Sequence, residues 1–150
     1  MSYPTGKGIL IWDINACSAG IPEVISSKAK ASGFSWVAIK VTDGSIPFAP
    51  YKQQSTYPSL LEDTITASQG LGIAVWGWGY IYGISDLHAQ SEAFAAAAAV
   101  NRHTLAGFLI DAENQFKQPG AFRWATNYMD TLRRERPTIP LGLCSYRFPS

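Results

Sequence analysis

The chain is short of the residues that several common functions require. Its 2 cysteines, Cys17 and Cys144, are far apart and belong to no CxxC or Cys/His cluster. A disulfide framework and a zinc site are therefore both unexpected, and the two are read as free thiols. His88 and His103 stand singly in helical stretches without metal-ligand partners, so surface positions and no bound metal are expected. The formal net charge is only +1, with lysine and arginine scattered, so no basic stripe can follow a phosphate backbone and nucleic acid is not an expected partner. The one basic run, "LRRERP" at 132–137, lies where a helix should end, and cations there oppose the negative end of the helix dipole. No apolar run reaches the roughly 18 residues that span a bilayer. The start "MSYPTGKG" lacks the apolar core of a signal peptide. A soluble protein with no membrane partner is the expectation. A glycine-rich phosphate loop is missing as well: "WDINACSAG" offers an acid after the first apolar run and neither GxGxxG nor GxxxxGK, so no nucleotide cofactor is expected.

What is present is a regular alternation. At 150 residues and 47% hydrophobic, the chain can bury one domain-sized core. Five apolar runs of strand length, "GILIWD" (8–13), "SWVAIKV" (35–41), "GIAVWGWGY" (72–80), "LAGFLIDAE" (105–113) and "IPLGLCSY" (139–146), are rich in Ile, Val, Leu and Trp. Four helical stretches separate them. The first begins at Pro22 and ends before Gly33, the second covers 57–69, the third 86–102 and the fourth 119–135 between Pro119 and Pro137. The third contains "AFAAAAAV", whose alanines favour a helix and keep it slim enough to lie against a sheet. Strand and helix alternating this way specify parallel strands with right-handed crossovers, an α/β fold. Polar residues gather at the carboxyl ends of several strands: Asp13; Lys40, Thr42 and Asp43; Tyr80; Asp111 and Glu113; Tyr146 and Arg147. A (β/α) barrel builds its site on that rim, so a barrel is favoured over an open sheet.

The segment "GFLIDAENQF" (107–116) carries the sharpest chemical signal. On a strand, residues two apart share a face about 6.5 to 7 Å apart, so Asp111 and Glu113 look into one space. Carboxylates this close raise each other's pKa, and partial burial raises them further, which is how an acid keeps a transferable proton near neutral pH. Cleavage of a glycosidic bond needs one acid to protonate the leaving oxygen and a second carboxylate for the positive sugar ring. The plainer alternative is that the two acids end a strand and cap the next turn. Lys40 is expected to face the interior with Ala38 and Thr42, where a buried ammonium requires a carboxylate partner; an ion pair is its first role and a substrate contact its second. Trp76, Trp78, Tyr80 and Tyr82 alternate with Gly77 and Gly79 on the opposite face. Such rings either fill a core or stack on the C–H faces of sugars, and the second role suits Tyr80 and Tyr82, nearest the strand end, better than the two tryptophans.

These motifs together resemble the glycoside hydrolase family 25 muramidases, the lysozymes often carried by phages and bacteria. "GILIWD" ends in Asp13 as that family's first strand ends in an Asp, "IKVTDG" (39–44) is similar to its second, "IDAE" (110–113) matches its Asp-x-Glu, and "GLGIAVWGWGY" and "PLGLCSY" fall in the same order. The resemblance implies a (β/α) barrel glycosidase acting on peptidoglycan. It implies Glu113 as proton donor, Asp111 as the partner that orients or stabilises the reacting sugar, and Asp13 as a third carboxylate. Tyr80, Tyr82, Trp78, Tyr146 and Lys40 are then the candidate substrate contacts, and the product would reach the cell wall by release or phage-borne delivery. "AGFLIDAEN" is also similar to the fourth strand of family 18 chitinases, although Ala106 stands where a further acid is expected. A barrel-derived module that binds carbohydrate or serves a phage structure without turnover is the non-enzymatic alternative.

Two features depart from the family pattern. "DINACSAG" has Asn15 and no aromatic where a Trp-Gln-Gly-like turn is usual, and "SYRFPS" replaces a simpler strand ending. A complete barrel of this type needs roughly 200 residues or more, so five strands and four helices correspond to a barrel's first part, with open first and fifth strands. Ile9, Ile11 and Leu143 are accordingly expected to meet water or another chain. The 150-residue chain by itself should aggregate, dimerise through those edges or remain loosely packed. Size-exclusion chromatography with thermal unfolding checks this: a soluble monomer with one sharp transition would remove the expectation.

Overall fold

A computed structural model describes residues 3–145. Five parallel strands, β1 (Lys7–Ile11), β2 (Phe34–Asp43), β4 (Ala74–Ile81), β5 (Phe108–Ala112) and β6 (Leu141–Cys144), pair in the order β1-β2-β4-β5-β6. The crossovers are α1 (Pro22–Ala31), α2 (Tyr57–Gly70), α3 (Asp86–His103) and α4 (Ala121–Glu135). The sheet curls into a half-barrel, as the alternation of strand and helix in the sequence implies. One element had no sequence signal. The two-residue β3 (Ile46–Pro47) folds back antiparallel on Thr42 and Asp43. Helix limits follow local chemistry. Pro22 occupies the first turn of α1, the Ser85 hydroxyl accepts the His88 amide to cap α3, and α3 stops at Thr104, whose φ is 52°. The fourth helix begins at Ala121, later than Pro119 suggests, because Gly120 adopts φ 87° and cannot belong to a right-handed helix.

The two faces of the sheet differ in kind. Val37, Ile39, Val41, Val75, Phe108 and Ile110 point to the helices and merge with Ile25, Leu61, Ile65, Val100 and Leu132 into the main core. α3 contributes Ala89, Ala93, Ala96, Ala97 and Val100, a stripe at helical period whose short side chains let the helix approach the sheet and α4. The concave face holds a separate, smaller cluster in which Ala38, Trp76 and Trp78 are buried with Trp36 and Leu109 against them. Bulky indoles fit there because neighbouring strands leave gaps for them. A Cβ on Gly107 would lie 2.3 Å from the Trp76 ring, and one on Gly8 would lie 2.0 Å from that of Trp36.

The register of β2 against β4 shifts by one residue. Lys40 pairs with Trp78, but the next partner of Gly79 is Thr42, so Val41 is the extra residue of a bulge. The alternation of faces resets there. Thr42 does not look inward with Lys40 as regular alternation would have it; its side chain covers Gly79, where a Cβ would come 1.9 Å from Oγ1. Asp43 is turned to the concave face instead, three residues from Lys40 and beside it. Among the edge residues, Ile9 is exposed, as expected, while Ile11 is buried, and both border α1 at Ile25 and Ala29. Ile11 therefore corrects the expectation of contact with water, because α1 folds back over the outer side of β1. Leu143 on β6 is 74% exposed, as expected of that edge.

The tight seat of Trp76 can be tested. Gly107→Ala should cost about 1–3 kcal/mol of stability by overpacking, with cooperativity retained. Urea unfolding measures it, and an unchanged midpoint would contradict the seating described.

Candidate active site

The carboxyl ends of the strands bring a charged group under aromatic cover. Lys40 is 6% exposed on the concave face. Its ammonium lies 3.4 Å from Asp43 Oδ1 and stands 4.6, 5.2 and 5.9 Å from the ring centres of Phe48, Trp78 and Trp12. A buried ammonium is tolerable with one carboxylate and several π faces around it. Trp78 is also buried, and its indole N–H donates to the Ile11 carbonyl at 3.0 Å, which ties β4 to β1 across the half-barrel. Trp12, by contrast, is 65% exposed at the rim.

Asp111, at the end of β5, is 9% exposed. Burial first and the Glu113 charge second push its carboxyl up to about 6, against a smaller downward pull from Lys40. Glu113 has left the strand and heads the 3₁₀ turn Asn114–Lys117. It is half-buried, and it borders a groove of about 430 Å³ with Phe116, Phe122 and Leu143, which makes it the accessible member of the pair. Both acids act on the same neighbours. Burial raises the Tyr80 phenol and the Cys144 thiol, and the charges of Asp111 and Glu113 raise both further. Asp111 lies on the strand, whereas Glu113 stands past its end and borders the groove beside Ala112 and Phe122, close enough for its charge to act on Asp111.

The tyrosines line the approach. Tyr80 and Tyr82 have ring centres 4.9 Å apart, Tyr80 donates to Gln115 Oε1 at 2.8 Å, and Tyr82 donates to Asp43 Oδ1 at 3.2 Å. Asp13 is arranged differently from the other acids. Its Oδ1 accepts the Asn15 amide at 2.9 Å and the Asn15 side-chain N–H at 3.1 Å, capping the short turn that follows β1. Tyr146 lies outside the described residues. Trp12, Phe48 and Gln115 join the site without having been singled out, and Asp43, expected only as one of the rim's polar residues, is the partner of Lys40. The pairing of Asp43 with Lys40 could have been found only by anticipating the bulge, while Trp12 was legible as the residue two after Leu10 on the concave face. The histidines are not plain surface residues: His88 Nδ1 lies 3.1 Å from Glu92 and His103 Nδ1 lies 2.9 Å from Glu62. Among the described residues, no group of three His, Cys, Asp or Glu could hold a metal ion, and no helix is long and apolar enough to cross a membrane.

No family model matches the chain, and no curated protein matches it. Solved structures do share its fold. It aligns with the modular autolysin LytC from Streptococcus pneumoniae at TM-score 0.69 and 16% identity, over 93% of this chain and 32% of that one. GHIP, a glycosyl hydrolase 25 of Streptococcus pneumoniae participating in host cell invasion, aligns at TM-score 0.65 and 16% identity over 92% and 59%. The catalytic domain of endolysin ply40 from bacteriophage P40 of Listeria monocytogenes aligns at 0.62 and 13% over 80% and 56%. LytC has also been solved in complex with a synthetic peptidoglycan ligand. The chain spans between 32% and 59% of the length of these structures. They define the class of its fold: part of a (β/α) barrel built like a glycosyl hydrolase 25 catalytic domain.

The state of Asp111 has a measurable consequence. Its folded pKa, about 6, lies above the ordinary value of 3.8. The folded chain holds this proton more tightly than the unfolded one, so the group's contribution to stability is lost as pH rises from about 4 to about 6. Asp111→Asn should then stabilise the fold at pH 7.5 by on the order of 2 kcal/mol and leave it unchanged near pH 4. Thermal unfolding at the two pH values decides; equal effects at both would contradict a buried, raised carboxyl.

Proposed function

We propose that this chain is a glycosidase of the N-acetylmuramidase type, acting on bacterial peptidoglycan by acid catalysis. The observation that carries this reading is a buried, inward-facing Asp111 with its carboxyl pushed up to about 6, beside an accessible Glu113. Two carboxyls so coupled hold a transferable proton at mildly acidic pH. Glu113 is the group that hands it to the glycosidic oxygen. The C–O bond then breaks with its electron pair on the leaving oxygen, and the positive charge left on the sugar ring is balanced by Asp111, which is ionised once the proton shared by the pair has gone to that oxygen. Tyr80, Tyr82 and Trp12 offer ring faces to the sugars, with Trp78 and Lys40 forming the floor beneath them. The fold it shares with an endolysin, an autolysin and a glycosyl hydrolase 25 supports peptidoglycan as the substrate class.

A second reading, a binding module without turnover, has one observation in its favour: the Asp13 carboxylate is engaged by Asn15 and does not contact the Asp111–Glu113 pair. Release of reducing ends from peptidoglycan, set beside co-sedimentation with it, separates the two. In the hydrolase reading Glu113→Gln lowers turnover about a hundredfold or more, because the shape is kept and the transferable proton is lost. Asp111→Asn lowers it less, and the activity of the unaltered chain falls as pH rises through about 6, where the proton held between Asp111 and Glu113 is lost to solvent before it can be transferred. Co-sedimentation without turnover, or Glu113→Gln turnover within about threefold of the unaltered chain, rejects the assignment.

A further inference from the structure

α3 carries an acid in its alanine stripe. Glu92 is 0% exposed, in the same buried row as Ala89, Ala93 and Ala96. A carboxylate at a helix–sheet contact is costly unless its oxygens are fully engaged, and an alanine would have filled the row without that cost. Glu92 is engaged by the turn that follows β4. The Tyr82 amide donates to Oε1 at 2.8 Å and the Gly83 amide to Oε2 at 3.1 Å. Three further groups face it: His88, 3.1 Å away on the same helix; the Tyr82 phenol; and Tyr128 on α4, whose phenol is raised by burial and by the Glu92 charge. Burial drives Glu92 upward, while the two amides and His88 oppose this.

The turn it holds touches both neighbouring loops of the site. On one side, a Cβ on Gly44 would lie 3.1 Å from the Tyr82 ring and 3.5 Å from Glu92 Oε1, so the segment after β2 packs directly on this unit. On the other, a Cβ on Gly83 would lie 2.7 Å from Phe116, in the segment after Glu113. Gly83 also needs its positive φ of 72° to present its amide this way. The Tyr82 hydroxyl then reaches Asp43, and Asp43 pairs with Lys40.

We propose that Glu92 is a positioning residue. From behind the sheet its carboxylate fixes the Tyr82–Gly83 turn, and through that turn the seat of the Tyr82 phenol on Asp43 and the aromatic wall presented to substrate. The tether itself stands apart from the glycosidase reading; its effect on substrate rests on that reading.

Glu92→Gln conserves shape but turns one acceptor into an N–H2 group facing an amide N–H. Hydrogen exchange at Tyr82 and Gly83 should quicken about tenfold, with amides of β2 and β5 unaffected. In the unaltered chain the two amide resonances should titrate together, with a midpoint above the ordinary glutamate range, and this titration should be absent from Glu92→Gln. With peptidoglycan, KM should rise about fivefold while kcat stays within about twofold. Unchanged exchange at both amides in folded Glu92→Gln overturns the proposal. So does faster exchange with an unmoved KM, which would make the tether structural only. Should the variant fail to fold, the joint titration in the unaltered chain decides, and its absence overturns the proposal. A chain that hydrolyses nothing, yet passes the exchange and titration tests, supports the tether and overturns the glycosidase reading.

Discussion

An ammonium group inside a curled sheet must have a carboxylate within reach, and in this chain a single extra residue supplies it. Lys40 points to the concave face, and regular alternation would send a residue three positions later to the opposite one. The bulge at Val41 cancels that parity and sets Asp43 beside Lys40. Three consequences follow from the same local event. Thr42 is left on the helix side, in the space that Gly79 keeps open. Asp43 becomes the acceptor for Tyr82, which links the end of β2 to the end of β4. Lys40, neutralised by Asp43 and surrounded by Trp12, Phe48 and Trp78, remains close enough to Asp111 to moderate its carboxyl.

Asp111 shows how the two cores cooperate. Trp36, Ala38, Trp76, Trp78 and Leu109 make the concave floor apolar, so a carboxyl standing on it is poorly hydrated. Its neighbour Glu113 then adds charge repulsion, and Lys40 gives back part of the loss. The balance leaves a carboxyl near 6, in the range where a group can both hold and release a proton under mildly acidic conditions. The outer core contributes by fixing the strands from behind. Gly77 and Gly79 admit Leu105, Val41, Phe108 and Thr42 on the helix side, while Trp76 and Trp78, which alternate with them, fill the concave side.

The loops at the rim are held chiefly by polar contacts to strand ends and helices. Tyr80 reaches Gln115 in the turn after Glu113, Asp13 caps the turn after β1, and Glu92 grips the turn after β4. Each contact joins a side chain to backbone or to a neighbouring loop, so the rim is braced by few groups and is sensitive to each. The solved structures that share this fold, an autolysin, an endolysin catalytic domain and a glycosyl hydrolase 25, are matched over 32% to 59% of their own lengths.

Much of this was legible in the sequence. Apolar runs of strand length, helices bounded by Pro22, Gly33 and Pro137, and an alanine stripe at helical period state the α/β order, because propensity and periodicity are local properties of the chain. The closeness of Asp111 and Glu113 was open to reading, since they are two residues apart, but the end of β5 at Ala112 takes Glu113 off the strand and periodicity does not mark that end. The buried ion pair of Lys40 was expected in kind, but its partner was not. Only the tertiary structure decided that partner, along with the outward turn of Thr42, the antiparallel β3, the capping role of Asp13 and the tether from Glu92. Apart from the Asp13 cap, a contact made two residues along the chain, these depend on which residues of separate segments lie opposite one another. A register shift of one residue leaves no mark on periodicity, yet it exchanges the faces of every side chain beyond it.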